Sequence, residues 1–248
     1  MKKLNIFLLV SLLTALFSFN GCDEDDPVPA DTHDDAYADV IVKKMNVAGV
    51  PKYKLMFFAG GADIQEEGSG VTFPDGNSFP LFSFWAGEGK LTYAGAPMAN
   101  TRPGAGEYKF TLKFKDGYVK TVTDALEDVD VGLSTGLNVV HTEGSDEVTL
   151  SWNPIEGVDF YCVKLTELDM ATTMPLFKKA MAPTTDTTLT FNTTTSAMPG
   201  WMRSPSELQA GTQYWVVVSG KRVENGKPVT GASQDFQINS CSKQKITW

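Results

Sequence analysis

Histidine is nearly missing from this 248-residue chain, which has only His33 and His141. With two imidazoles, a Ser-His-Asp or Cys-His arrangement has little to draw on. The sequence also lacks a helix-borne histidine pair for zinc, a phosphate-cradling glycine loop and a dinucleotide fingerprint. Paired carboxylates can cleave glycosides only in a shaped cleft at a separation of ~5–10 Å, and acids are too common here for their presence to point to one. The chain therefore reads as non-catalytic, with no cofactor implied. Basic residues are outnumbered as well, 21 Lys and Arg against 30 Asp and Glu. This argues against a nucleic-acid partner, because holding phosphates takes clustered Lys and Arg. Long runs of helical periodicity are missing too. What the chain does have is 11% aromatics and many Thr, Val and Gly, a composition that favours strands.

Lys2 and Lys3 precede an apolar run from Leu4 to about Phe19, the layout of a secretory signal. The run is short for a membrane span and contains Asn5, Ser11, Thr14 and Ser18, so residues 1–21 are set aside from the fold. Cys22 then stands between oil and acid. Gly21-Cys22 resembles the lipobox of bacterial lipoproteins, although Phe19 and Asn20 depart from its usual Leu and Ala or Ser. The resemblance implies that Cys22 is acylated and becomes the first mature residue. Its partner would be the lipid bilayer, held by several chains at about 0.8 kcal/mol per buried methylene. Eight acids lie between Asp23 and Asp39, with no Lys or Arg before Lys43, so residues 22–35 are expected to be a solvated tether. Acids directly after the lipid cysteine resemble the export mark of Bacteroidota surface lipoproteins, implying the cell-surface side of the outer membrane. Loss of residues 1–21 leaves 19 basic against 30 acidic residues, a net charge of −11.

Two strand-rich blocks follow. In the first, residues 36–131, candidate strands are YADVIVKKM, YKLMFFAG, GVTFPD, NSFPLFSFWAG, KLTYAG, GEYKFTLKF and GYVKTVTDAL. Turn residues separate them, as in an Ig-like sandwich. Tyr108, Phe110, Leu112 and Phe114 alternate with polar residues, giving one buried and one wet face. Lys115-Asp116-Gly117 supplies the positive φ of a tight hairpin.

In the second block, residues 132–240, EVTLSWNP, GVDFYCVKL and ELQAGTQYWVVVSGKRV together resemble a fibronectin type III domain. The resemblance makes Trp152 a core residue with Val148 and Leu150, and turns Tyr161, Val163 and Leu165 inward. Leu208, Gly211, Thr212 and Tyr214 match the entry to the sixth strand, with Ala210 in place of proline. Tyr214 would be the tyrosine corner, with its hydroxyl tied to nearby backbone. The expected fold is all-β, two tandem sandwiches, with residues 241–248 as a tail and Trp248 fraying at its end.

The block departs from the family after TLTF, where roughly ten extra residues precede the sixth-strand entry. Family topology puts this insertion at the pole away from the anchor. It carries Met198, Trp201, Met202 and Arg203, and Trp and Arg are common contact residues at interfaces. Alternatively, Trp201 folds back over the open end of the sandwich. Trp215, beside Tyr214, should point to the outer sheet face as a contact for a partner. Phe79, Phe82, Phe84 and Trp85 suit either a sugar-stacking platform or a covered core strand. Asp124, Glu127, Asp128 and Asp130 fall where the blocks meet and read as a solvated acidic linker with no metal, since no calcium-type loop surrounds them. Cys162 and Cys241 lie in a compartment that permits disulfides, but Cys162 is expected mid-strand on the outer sheet face and Cys241 just after the last strand, which is not an immediate neighbour, and this argues against pairing. Asp186-Thr187-Thr188 resembles the short O-glycosylation site of exported Bacteroidota proteins. The expectation is an outer-membrane-anchored module that binds a glycan or protein, or else a structural subunit or spacer whose partner is an outer-membrane complex.

Overall fold

The computed structural model describes residues 33–83, 90–93, 98–168, 175–181, 187–194, 200–227 and 236–248. Asp35–Trp248 forms one compact unit. Its strands are β1 (Tyr37–Val47), β2 (Val50–Gly60), β3 (Ile64–Thr72), β4 (Ser78–Pro80), β5 (Phe82–Ser83), β6 (Lys90–Tyr93), β7 (Gly106–Phe114) and β8 (Val119–Leu126), followed by β9 (Asn138–Val140), β10 (Glu147–Ser151), β11 (Phe160–Glu167), β12 (Phe177–Met181), β13 (Thr188–Asn192), β14 (Gln213–Val223) and β15 (Phe236–Thr247). The alternation along β7 is carried out as the sequence implies: Tyr108, Phe110, Leu112 and Phe114 are buried, while Glu107, Lys109 and Thr111 are exposed. Gly117 turns the chain into β8 at φ 88°, a conformation in which a side chain would be strained.

In the first half, β1, β2, β5 and β6 face a sheet of order β4-β3-β7-β8 across a core built on Val40, Val42, Phe57, Phe110, Leu112 and Phe114. In the second half, β9, β10 and β13 face β11, β12, β14 and β15 across a core of Val148, Leu150, Trp152, Tyr161, Val163, Leu165 and Val216. All but Val216 are inward residues that the fibronectin resemblance assigns. Tyr214 is 3% exposed, and its hydroxyl accepts a 3.0 Å hydrogen bond from the Gln209 amide, which makes it a tyrosine corner. The fold is all-β, with its sheets packed as sandwiches.

The two sandwiches are not merely strung in tandem. β15 pairs with β14 on one side and runs parallel to β1 on the other, in register from Val42–Ile238 to Met45–Cys241. Both halves thus share one eight-stranded sheet of order β12-β11-β14-β15-β1-β2-β6-β5. β15 also feeds both cores: Ile238 is fully buried in the first, and Ile246 packs in the second. The expected tail therefore needs correcting. Residues 241–247 are strand, and Trp248 is 8% exposed, stacked on His141 at 4.7 Å and bonded through its backbone to Gly211 and Thr212. The apolar ring and the paired backbone hold the end that was expected to fray.

Side chains reinforce the seam. Lys44 Nζ donates to Asp130 at 2.9 Å and to the Val131 carbonyl at 2.5 Å. Gln237 donates to the Ala125 carbonyl and accepts from the Glu127 amide, while the Ser134 amide donates to Ser240 Oγ. Asp124 accepts from the Val40 amide, and Glu127 from the Asn225 amide. Three acids of the expected solvated linker are therefore tied into the fold, and the fourth, Asp128, pairs with Arg102 at 3.4 Å. The Val40 amide, partly withdrawn from water, needs an acceptor, and Asp124 supplies one.

Ile238→Ala should cost about 2–5 kcal/mol, the usual range for removing a buried branched side chain. Because Ile238 sits on the shared strand, hydrogen exchange of β7 and β10 amides should accelerate together. Acceleration of β7 alone would mean that the halves unfold separately.

Candidate functional site

The insertion of the second half lies against the edge of β12. Phe177 and Trp201 form a bridge, the Lys178 amide donates to the Gly200 carbonyl at 2.7 Å, and the Met202 amide donates to the Leu176 carbonyl at 2.9 Å. A bare strand edge exposes unpaired backbone groups, and this segment covers part of one. Gly200 is required for the approach: at φ 131°, a β-carbon there would sit 2.6 Å from the Phe177 ring. Trp201 meets Phe177 and Phe191 edge-on at 5.3 and 6.1 Å, and its indole donates to the Asn192 carbonyl at 3.1 Å. Of the two readings left open for Trp201, packing over the sandwich accounts for its contacts. Arg203 is engaged by Glu167 at 3.0 Å and by Glu207 at 2.5 Å, where Ser204 and Glu207 cap the short 3-10 turn Pro205–Glu207. Met202 remains 49% exposed. Met198, Phe84, Trp85 and Asp186 lie outside the described residues, as does Cys22 with the rest of residues 1–32. Phe79 packs on the first core and Phe82 is exposed, so these two do not share one exposed platform.

Trp215 lies on the outer sheet face, opposite inward Tyr214 and Val216. Lys243 and Lys245 stand 4.0 and 5.1 Å from its ring centroid, a cation–π arrangement. It helps line a cavity of about 550 Å³, together with Lys43, Met45, Val217, Cys241 and Lys243. Cys162 and Cys241 are free. Both align with Ser219 on intervening β14, so two strand spacings of about 4.8 Å put them beyond disulfide reach.

Further along the same face, a second cleft of about 330 Å³ opens across the seam. Lys178 of β12, Lys164 of β11, Lys221 of β14 and Lys43 of β1 line it. Its apolar lining includes Ile41, Met56, Phe58 and Phe236. Among the described residues, the buried side-chain oxygen of Asn239 in the lining accepts no hydrogen bond. Asp39 is the one carboxylate in the lining, and among the described residues none of the four lysines forms an ion pair. Lys221 instead lies 3.7 Å from the Phe236 ring centroid. Burial pulls its pKa down to about 8; the positive charges of Lys164 and Lys178 act in the same direction, while Cys162 and Asp39 oppose it. Lys164 is lowered too, first by burial and then by Lys178 and Lys43. Sequence reasoning missed this cleft. The available signal was a lysine at an outward position inside long apolar strands, as in FYCVKLTE and VVVSGKRV.

Among the described residues, Asp39, Asp124 and Glu224 bring one oxygen each within 4.8 Å of one another, the one arrangement found there that could hold a metal ion. The oxygens are hard donors of the kind calcium takes, but calcium needs six to eight ligands.

No family model and no curated protein matches the chain. Among solved structures, it is similar to a two-domain fibronectin type III segment of chicken tenascin, at 15% identity and TM-score 0.31, covering 85% of this chain and 98% of that one. It is also similar to the FN1–FN3 domains of chicken CNTN1, at 12% identity and TM-score 0.31, covering 84% of this chain and 63% of that one. Superpositions this loose add nothing to the strand order and cores described above.

Trp201→Ala should lower unfolding stability by about 2–4 kcal/mol, because it strips an aromatic from the sandwich edge. Met202→Ala should change it by less than about 0.5 kcal/mol. Urea titrations of both variants check the contrast. A separate prediction concerns pH. Folded Lys221 gives up its proton near pH 8, whereas the unfolded chain holds it to about 10.5, so the unfolded state binds more protons in that window. Lys221's contribution to stability therefore rises with pH from 8 towards 10.5. Lys221→Met should be more stable than the parent at pH 7, with the advantage shrinking by pH 10 in the same titrations.

Proposed function

We propose that this protein is a non-catalytic binding module for a glycan or protein, held on the outer membrane by acylated Cys22 and exposed at the cell surface. The observation that carries the binding part is the shared sheet. It joins two sandwiches into one unit whose outer face bears two adjoining clefts, both lined by Lys43. Clefts of this size, with an apolar lining and a few polar groups, are the usual form of a ligand site. A surface preorganised by β-pairing also loses little conformational freedom when a ligand docks. The anchoring part rests on the residues around Cys22.

A second reading, a structural subunit or spacer in an outer-membrane assembly, draws support from the same parallel pairing. Sandwiches bonded along a common sheet would hold a set distance, which a flexible linker would not. The two readings differ in what occupies the outer sheet face: a captured ligand or another envelope protein.

Metabolic labelling with an alkynyl fatty acid should tag the wild-type protein, and Cys22→Ser should abolish the label and release the chain from the membrane fraction. Protease added to intact cells should digest the wild-type protein. Full protection from protease would overturn surface exposure, and an unlabelled wild type would overturn the anchor.

A further inference from the structure

The lysine cleft is an electrostatic anomaly in a chain of net charge −9. Among the described residues, lysines from four strands line it against one carboxylate, that of Asp39, with the Asp124 and Glu224 carboxylates within 4.8 Å of Asp39's, and none of the four lysines forms an ion pair. Gathering like charges in a half-buried space is unfavourable in itself, because each loses hydration and repels the rest. An anion entering the cleft would relieve the repulsion and meet charges already in place.

The other lining groups narrow the ligand further. Asn239 offers a buried oxygen that can only accept, so it requires a donor. A bare sulfate or carboxylate has acceptors alone, whereas a hydroxyl-bearing anion can satisfy the lysines and Asn239 together. Phe58, Phe236, Met56 and Ile41 present apolar surface, which suits the C–H face of a sugar ring. A volume of about 330 Å³ sits at the lower end of the ~300–1,000 Å³ of small-molecule sites, enough for about one or two such rings. The lysines themselves are flexible point charges without the planar fork of arginine, so they accept carboxylate and sulfate alike.

We propose that the cleft bounded by Lys43, Lys164, Lys178 and Lys221 binds an acidic saccharide, a sugar carrying a carboxylate or sulfate group. This rests on the binding-module reading and gives it a site and a ligand class. Lys164 and Lys178, cross-strand neighbours, would hold the anionic group together, with Lys221 of β14 and Lys43 of β1, both in register with Asn239 of β15, lining the rest of the cleft.

The test is calorimetric titration of the full lipidated chain in mild non-ionic detergent. The probes are a galacturonic acid disaccharide, a sulfated chondroitin disaccharide, a neutral galactose disaccharide and inorganic sulfate. At least one acidic disaccharide should bind at least tenfold more tightly than the neutral sugar or inorganic sulfate, and more weakly as salt rises. The double variant Lys164→Met/Lys178→Met should lose at least tenfold in affinity while its melting temperature stays level or rises. Asn239→Ala, a separate variant, should weaken the acidic disaccharide and leave any sulfate binding unchanged. The proposal is overturned if neither acidic disaccharide binds, if the double variant binds as the parent does, or if sulfate alone binds equally well. Preference for the neutral disaccharide would overturn the anionic site while leaving the binding-module reading standing.

Discussion

The parallel pairing of β1 with β15 is the constraint on which the rest of this structure depends. Without it, each half would end in a strand with a row of unpaired amides and carbonyls facing solvent, an invitation to edge-to-edge association. With it, the edge of each half satisfies the other, and the first and last strands of the compact unit lie side by side. The sequence separation is large, but closure entropy grows only with the logarithm of loop length, so a few well-packed pairs can offset it. Ile238 provides such packing, a residue of the last strand fully buried in the first core. Lys44, Gln237 and Ser134 then join polar groups that the seam takes out of water.

The same pairing builds the surface chemistry. Lys43 belongs to the first half, while Lys164, Lys178 and Lys221 belong to the second, and only a continuous sheet makes them walls of one cleft. Alternation sends Tyr161, Val163 and Leu165 into the core, and Cys162 and Lys164 to the opposite face. Packing on one side thus dictates which side chains are displayed on the other. Net charge hid this result, since the acids of the tether and loops outweigh the lysines of one sheet face.

The insertion shows the converse, a segment whose residue types suggest contact but whose geometry is taken up inside the molecule. Trp201 closes the sandwich beside Phe177 and Phe191, and Arg203 is held between two glutamates. An aromatic and a guanidinium serve an internal edge as readily as an external partner, because both offer apolar area with polar atoms at the rim. Met202 is the large apolar side chain that the described part of the insertion leaves exposed.

Much of the fold was legible in the residues. The period-two pattern of β7, the Gly117 hairpin, the Trp152 core and the Tyr214 corner each follow from local sequence, because alternation, positive φ and a short-range hydroxyl bond are local properties. Little of the candidate site was legible, apart from the outward direction of Trp215. Residues 241–248, rich in Lys, Ser and Gln, look like a tail until their backbone finds β14 and β1 as partners. Sequence alone determined which residues turn inward within each strand, since that depends on a two-residue period. Which strand lies beside which was decided only in the tertiary structure, because the backbone groups that join β1 to β15 are nearly the same in every residue and leave no mark in the sequence.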